Sequence, residues 1–250
     1  MVKVFAGETN SHQKGYSIGS HSHNYFEIVY YISGKGTIEI DKTTFSFSQN
    51  TFSITKPNHV HKEESPYPTT LIYVGFISDD SIDLSKLDDG VYQCSKNSYL
   101  LSTMKEIVQE LQTKDFYYHD QLELLTKSLI IQIKRSIAQS AQKADEFEKI
   151  KQYIKENCTK GINAITLAKQ FNYNYDYFRK EFKRYYRISI SDLILQEQVN
   201  FATNLIRTSK MKINEIAKIS GFSSTSHFIS CFKKQHGITP KKYIIKDLKI

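Results

Sequence analysis

Two short stretches of this chain set cations and hydroxyls at helical spacing opposite paired phenylalanines. In the first, Phe178 and Phe182 fall near about 0° and 40° on a helical wheel, and Asp176, Arg179, Lys180 and Lys183 fall between about 100° and 200°. A helix anchored by aromatics on one face can lie in a DNA groove with the other. Arg179 then suits guanine O6/N7, Asp176 suits cytosine N4, and Lys180 suits guanine or phosphate. Lys183 and Arg184 sit further along, where phosphates are gripped. Tyr175 or Tyr177 is a candidate phosphate donor, and the remaining tyrosines Tyr173, Tyr185 and Tyr186 include core residues. In the second stretch Phe228 and Phe232 are the anchors. Ser226, Ile229, Ser230 and Lys233 project opposite them, with Thr225 and His227 at the leading edge and Lys234 on phosphate. Ile229 suits a thymine methyl, but hydroxyls read bases more weakly than arginine, so the first stretch is expected to carry more specificity.

These stretches belong to a repeat. Leu167-Ala168-Lys169 through Phe182-Lys183-Arg184 and Ile216-Ala217-Lys218 through Phe232-Lys233-Lys234 stand 49 to 50 residues apart. Each reads as helix-turn-helix: a helix over Asn163–Phe171, a turn at Asn172–Asn174 and a helix from Tyr175 to Tyr186; then a turn at Ser220–Ser223, one residue longer, and a helix from about Ser224. A helix from Ser191 to Arg207 joins them. At 1.5 Å per residue it spans about 25 Å, a strut for recognition helices one DNA turn, about 34 Å, apart. Ahead of the first unit a helix capped by Asp145 runs to Asn157, with Phe147, Ile150 and Ile154 inward and a turn at Lys160-Gly161.

Charge follows the same division. The 250-residue chain has a formal net charge of +8, yet residues 145–250 hold 20 Lys/Arg against 10 Asp/Glu and the rest is slightly acidic. A basic half that coincides with paired recognition helices points to a polyanion, double-stranded DNA. Cys94, Cys158 and Cys231 form no CxxC spacing and read as reduced thiols. No apolar run of about 18 residues spans a membrane and the N-terminus lacks a signal-peptide pattern, so a cytoplasmic protein is expected.

Five of the eight histidines lie between His12 and His61. Strand alternation puts His21, His23 and Glu27 on one face, and a later strand can present His61 to the same interior. Three imidazoles and a carboxylate suit a transition metal such as Fe, Mn, Ni or Zn. They also suit a metal-free effector pocket or a structural polar cluster, and these readings stay open. Tyr30, Tyr31 and Phe76 are the candidate apolar walls for a sugar or similar ligand. The spacing Gly15, His21, His23, Glu27, Gly34 is similar to the first motif of the cupin β-barrel. The second motif is imperfect: in Pro57-Asn58-His59-Val60-His61, His59 replaces the usual glycine and the histidine comes one residue early.

The elements that must position these groups read as follows. From Gly15 to Phe76 short alternating segments, among them Thr37–Asp41, Phe45–Ser48 and Phe52–Ile54, are separated by turns at Ser33–Gly36, Asp41-Lys42, Gln49-Asn50 and Pro57-Asn58, as in a small sandwich or barrel. Asp79–Asp89 reads as loop. Ser98–Gln142 switches to helical spacing, with stripes at Leu101, Met104, Ile107, Val108, Leu111 and at Leu122, Leu125, Leu129, Ile130, Ile133, joined at Lys114-Asp115. These two antiparallel helices cover the β-sheet, and pairing with a second subunit is a further role. Ser136–Asp145 is the expected linker. The fold class is α+β: a cupin-like β-barrel with a C-terminal helical pair, then an all-α domain of two helix-turn-helix units. The expected domains are 1–95 sensor, 96–144 helical dimerisation segment and linker, and 145–250 DNA-binding.

From Ile165 to Tyr243 the residues resemble the AraC/XylS family of bacterial transcription regulators. The match is densest over Ile213 to Tyr243, including Ile216-Ala217, Gly221-Phe222, Phe228, Cys231-Phe232-Lys233-Lys234 and Gly237-Ile238-Thr239-Pro240. Arg187 stands where the family usually has glycine, which is expected to alter the turn after the recognition helix. Gln198 stands where an arginine is usual in the linker helix, which removes a structural ion pair. The resemblance implies a ligand-responsive homodimeric regulator, more often an activator working with RNA polymerase than a repressor, and not an enzyme. In its sensor domains an HxH followed by Glu often lines an effector pocket without metal. The alternatives are a metal-dependent cupin enzyme with a nucleic-acid-binding appendage, and a regulator whose β domain answers to another protein or to nothing.

Overall fold

The computed structural model of the chain describes residues 2–78, 84, 87–94 and 99–247. Residues 1–143 and 144–250 form two compact units. The described residues of the first form nine strands: β1 (Val2–His12), β2 (Tyr16–His21), β3 (Phe26–Ser33), β4 (Lys35–Ile40), β5 (Thr43–Ser48), β6 (Thr51–Thr55), β7 (His61–Ser65), β8 (Thr69–Ser78) and β9 (Gly90–Gln93). Their pairs are antiparallel and make a five-stranded sheet, β1-β8-β3-β6-β9, and a four-stranded sheet, β2-β7-β4-β5. The strand pattern starts earlier than Gly15: β1 pairs along β8 from Val2 to His12 with a bulge at Val4/Ala6. As an edge strand it carries a half-polar sequence that alternation alone does not single out. Most of the acidic stretch Asp79–Asp89 and the start of the helical stretch at Ser98 lie outside the described residues.

The five-stranded sheet uses its two faces differently. On one, Ile28, Phe52, Ile54, Ile72, Val74 and Phe76 pack with Leu100, Met104, Ile107, Leu129, Ile130 and Ile133 of α1 (Leu100–Thr113) and α2 (Tyr118–Asn157). Burying a side chain of this size contributes about 1.5–3 kcal/mol, so this apolar layer anchors the helical pair to the sheet. On the other face Val29, Tyr31, Phe47 and Leu71 form a smaller cluster toward the four-stranded sheet. Tyr30 and Phe76 therefore do not line the interior with Tyr31. They belong to the helix-covered layer, because adjacent strand residues point to opposite faces.

The linker expected at Ser136–Asp145 is helical. α2 runs unbroken from Tyr118 to Asn157, and Asp145 is a mid-helix residue paired with Lys149 at 2.7 Å, not an N-cap. The stretch holds neither glycine nor proline, and its alanines, glutamines and lysine are good helix formers.

The second unit continues with a 3-10 turn (Cys158–Lys160), α3 (Ala164–Gln170), α4 (Tyr175–Tyr186), α5 (Ile190–Thr208), α6 (Ile213–Ile219), α7 (Thr225–His236) and α8 (Pro240–Asp247). It has two cores. Phe147, Ile150, Ile154, Leu167, Phe178 and Phe182 close the first with Ile190, Leu193 and Ile194 of α5. Ile216, Ala217, Phe222, Phe228 and Phe232 close the second with Val199 and Ala202 of the same helix. One 19-residue helix, about 28 Å long, thus contributes successive stretches to both cores.

Candidate functional site

Each recognition helix is started by a local cap. The Asn174 side chain accepts from the backbone N–H of Asp176 and Tyr177, and Ser224 accepts from His227. Asn172 and Gly221 hold the preceding turns in the left-handed region, at φ 55° and 86°. At the far end Arg187 adopts the same left-handed conformation as Gly237, and each donates its N–H to the carbonyl four residues back, Lys183 or Lys233. The departure from glycine at Arg187 leaves that turn unaltered.

With Phe178, Phe182, Phe228 and Phe232 fully buried, the opposite faces are open. Asp176, Arg179, Lys180, Lys183 and Arg184 are exposed on α4, as are Ser226, His227, Ser230, Lys233 and Lys234 on α7; Thr225 is half-buried. The Arg179 guanidinium lies 5.7 Å from the centroid of the Tyr175 ring, which steadies a long side chain before any base is met. Arg184 makes an ion pair with Glu181 at 2.8 Å. Ile229 is less available than its helical angle implies: it is half-buried and packs against the second core. Tyr173, Tyr175 and Tyr186 pack on the first core, and the Tyr186 hydroxyl donates to Glu148 at 3.0 Å.

In the first unit the structure brings His21, His23 and His61 together, with one ring nitrogen from each within 4.8 Å of the others. Glu27 joins them, 3.6 Å from His23 Nε2 and 3.4 Å from His61 Nε2. Burial alone would raise the Glu27 pKa, but the two imidazoles outweigh it and hold the carboxyl down at about 2. Burial likewise pulls His61 down, and Glu27 together with the His59 carbonyl more than reverses this. His23 is held flat by Tyr25, whose ring is parallel to it at 3.9 Å; Tyr25 in turn occupies the space a Cβ on Gly75 would fill.

The imidazoles share one arrangement. The Nδ1 atoms of His21, His23 and His61 lie 2.9, 2.9 and 3.2 Å from the carbonyls of Gly19, Tyr25 and His59. A carbonyl can only accept, so Nδ1 carries a proton in each ring, and it is Nε2 that meets the Glu27 carboxylate in His23 and His61, as Nε2–H when the ring is charged and as a free lone pair only once that proton is given up. The Nε2 atoms of His23 and His61 are buried beside the Glu27 carboxylate, and the hydroxyl of Thr55, directly across from Glu27 in the β3/β6 register, is buried with them. Nδ1 bonds to backbone carbonyls, with the opposite ring nitrogens converging beside a carboxylate, are how metal-binding histidines are held, so this donor set fits a transition metal that displaces the Nε2 protons. His59 stands apart and pairs with Asp41 and Asp89 at 2.9 and 2.6 Å.

Sequence reasoning missed the groups deeper in the same interior. Glu63 is buried and accepts from the hydroxyls of Tyr16 and Tyr31, the latter at 2.7 Å. Burial raises its pKa further than the two tyrosines lower it. Alternation from His61 places Glu63 on the same face, so the signal was present in the i, i+2 spacing. Outside, an open groove of about 580 Å³ reaches His61 and is lined by Ser20, Glu39, Asp41, Lys42, Val60 and Lys62.

Comparison with known proteins agrees with both halves. Residues 4–127 match the family described as AraC-like ligand binding domain, and residues 167–244 match the helix-turn-helix domain family. The chain is 23% identical to the HTH-type transcriptional regulator YfiF of Bacillus subtilis, over 92% of this chain and 80% of that protein. It is 24% identical to the Msm operon regulatory protein of Streptococcus mutans, over 92% and 87%. Among solved structures it is similar to apo ToxT from Vibrio cholerae, with 17% identity, 96% of each chain covered and a TM-score of 0.38. The chain belongs to the AraC family of DNA-binding transcription regulators.

Proposed function

We propose that the chain regulates transcription by reading two adjacent major-groove segments with α4 and α7, under control of a small molecule bound in the β domain. The observation that carries this reading is the pair of capped helices, each with two buried phenylalanines beneath an exposed polar face, mounted on the single helix α5. Asp176, Arg179, Lys180, Thr225, Ser226, His227 and Ser230 are the base readers, Ile229 a lesser one, and Tyr175, Lys183, Arg184, Lys233 and Lys234 hold phosphates. Activation is the sign the family resemblance implies, with RNA polymerase as the further partner and the cytoplasm as the place of action.

His21, His23, Glu27 and His61 form the sensing site. The charged groove beside His61 suits a polar, sugar-like effector. Where a transition metal is bound, the three Nε2 atoms and Glu27 hold it, and it supplies a fixed positive charge for an anionic or hydroxyl-bearing effector. Tyr25 orients His23, and the three backbone carbonyls fix the imidazole tautomer.

The subunit contact is assigned to a second copy of the chain. Leu124 and Ile131 are 63% and 52% exposed on α2 and seven residues apart, in line with exposed Tyr117 at the tip of the helical pair. An apolar pair at that spacing is the seam of a two-helix contact, and a twofold axis makes it self-complementary.

Selection of random duplexes by the purified chain at physiological salt tests the DNA reading. Enrichment of two short motifs about one helical turn apart is expected; a pool with no enriched sequence would mean that the basic half binds without reading.

A further inference from the structure

The two helix-turn-helix units meet around one buried amide. Gln198 is 6% exposed and sits on α5 where that helix passes from the first core, at Ile194, to the second, at Val199. Its Nε2 lies 2.8 Å from the carbonyl of Cys158 and 3.5 Å from the carbonyl of Gly221. Cys158 belongs to the 3-10 turn that ends the helix lining the first core, and Gly221 is the left-handed residue in the turn of the second unit. A primary amide carries two N–H donors, and here each carbonyl comes from a different unit.

The turn and the 3-10 segment are also in direct contact. A Cβ on Gly221 would stand 2.7 Å from Gln198 Nε2 and 3.1 Å from both Cα and the carbonyl oxygen of Thr159. Glycine is therefore required twice at this position, for its φ of 86° and for the close approach of Thr159. The turn that introduces the second recognition helix is pressed against the first unit, with the Gln198 amide at the junction.

We infer that Gln198 is a positioning residue for operator spacing: it fixes the separation and rotation of α4 relative to α7, and so sets which distance between half-sites the chain accepts. It touches no DNA itself. The inference rests on the DNA-reading function proposed above. One added base pair between half-sites shifts the second by about 3.4 Å and turns it by about 35°. A locked pair of helices cannot follow that displacement, whereas a loosened pair can.

The test compares wild type with Gln198→Met, which keeps the length and volume of the side chain and removes both donors. Full-length proteins are titrated against the selected operator, the same operator with one base pair inserted between the motifs, and a duplex holding the first motif alone. Wild type is expected to lose about 100-fold in affinity on the insertion and the variant about tenfold, with the single-motif duplex bound equally by both to within about twofold. An unchanged insertion penalty would overturn the inference, and so would a uniform loss on all three duplexes, which marks a purely structural residue. Should the variant not fold, side-chain amide exchange in wild type decides: slow exchange of the Gln198 amide protons supports the junction, and exchange as fast as that of a surface glutamine refutes it. Failure to select any operator would instead contradict the DNA-reading function itself, a result distinct from an operator whose spacing tolerance ignores Gln198.

Discussion

Arg187 and Gly237 close the two recognition helices in the same left-handed conformation, at φ 59° and 77°, each bonded through its N–H to a lysine carbonyl one turn back. A side chain in that region is strained by about 1 kcal/mol relative to glycine. Arg187→Gly is therefore expected to stabilise the chain by about 0.5–1 kcal/mol, since some of the relief is offset by the freer unfolded backbone. Gly237→Arg should destabilise it by a similar amount. Urea unfolding midpoints of the two variants check the sign; a destabilised Arg187→Gly would show that the Arg187 side chain makes contacts worth more than the strain.

Arg179→Ala should cost about 1–3 kcal/mol on the best operator and relax preference at one base pair, as expected for removal of the bidentate guanine contact proposed for it. Lys234→Ala should weaken all sequences alike and lower the salt slope by about one. Competition titrations at several salt concentrations separate the two. Equal loss on random DNA for Arg179→Ala would reassign it to phosphate.

Asn174→Ala removes the acceptor for two N–H groups at the start of α4. The expected loss is about 1 kcal/mol of stability, with weaker recognition of the first motif and little change at the second. Thermal unfolding and single-motif titrations read these effects independently; equal weakening at both motifs would contradict a local role for the cap.

Equilibrium dialysis against zinc or nickel should give one ion per chain. His61→Gln should reduce binding at least about tenfold, since loss of one of few ligands removes more than 1.4 kcal/mol. Circular dichroism of the variant establishes that it is folded. Saturable binding that His61→Gln leaves intact would place the metal elsewhere.

Ile131→Glu sets a charge in the middle of the exposed seam on α2 without touching a core position. Sedimentation equilibrium should show wild type shifting toward dimer with concentration and the variant remaining monomeric, because like charges face one another across the twofold axis. Two identical profiles would remove Leu124 and Ile131 from the interface.

The recognition helices were legible in the sequence because every local signal agreed. Asn174 caps α4 at the end of the turn expected there, Ser224 caps α7 where that helix was expected to begin, and the phenylalanine pairs at i, i+4 fix the buried faces. The residues around the histidines were legible only in part. The spacing of His21, His23, Glu27 and His61 showed a shared interior, but the backbone carbonyls that orient the rings depend on turns a one-dimensional reading does not resolve. Tyr30 and Tyr31 show another limit: both are buried, and composition does not say that one faces the helices and the other the interior. The weak apolar stripe over Ser136–Asp145 does not announce the unbroken α2; helix propensity without glycine or proline is enough to carry the helix through. Ile229 is half-buried against the second core, which the two phenylalanine anchors of α7 do not by themselves imply.

Whether two recognition helices read two segments of one duplex is decided by methylation interference at guanine N7 on the selected operator, resolved to single bases. Two interfering clusters are expected on one face of the duplex, about 10 base pairs apart, with the stronger effect in the cluster that Arg179→Ala abolishes. A single cluster, or interference spread evenly along the site, would contradict it.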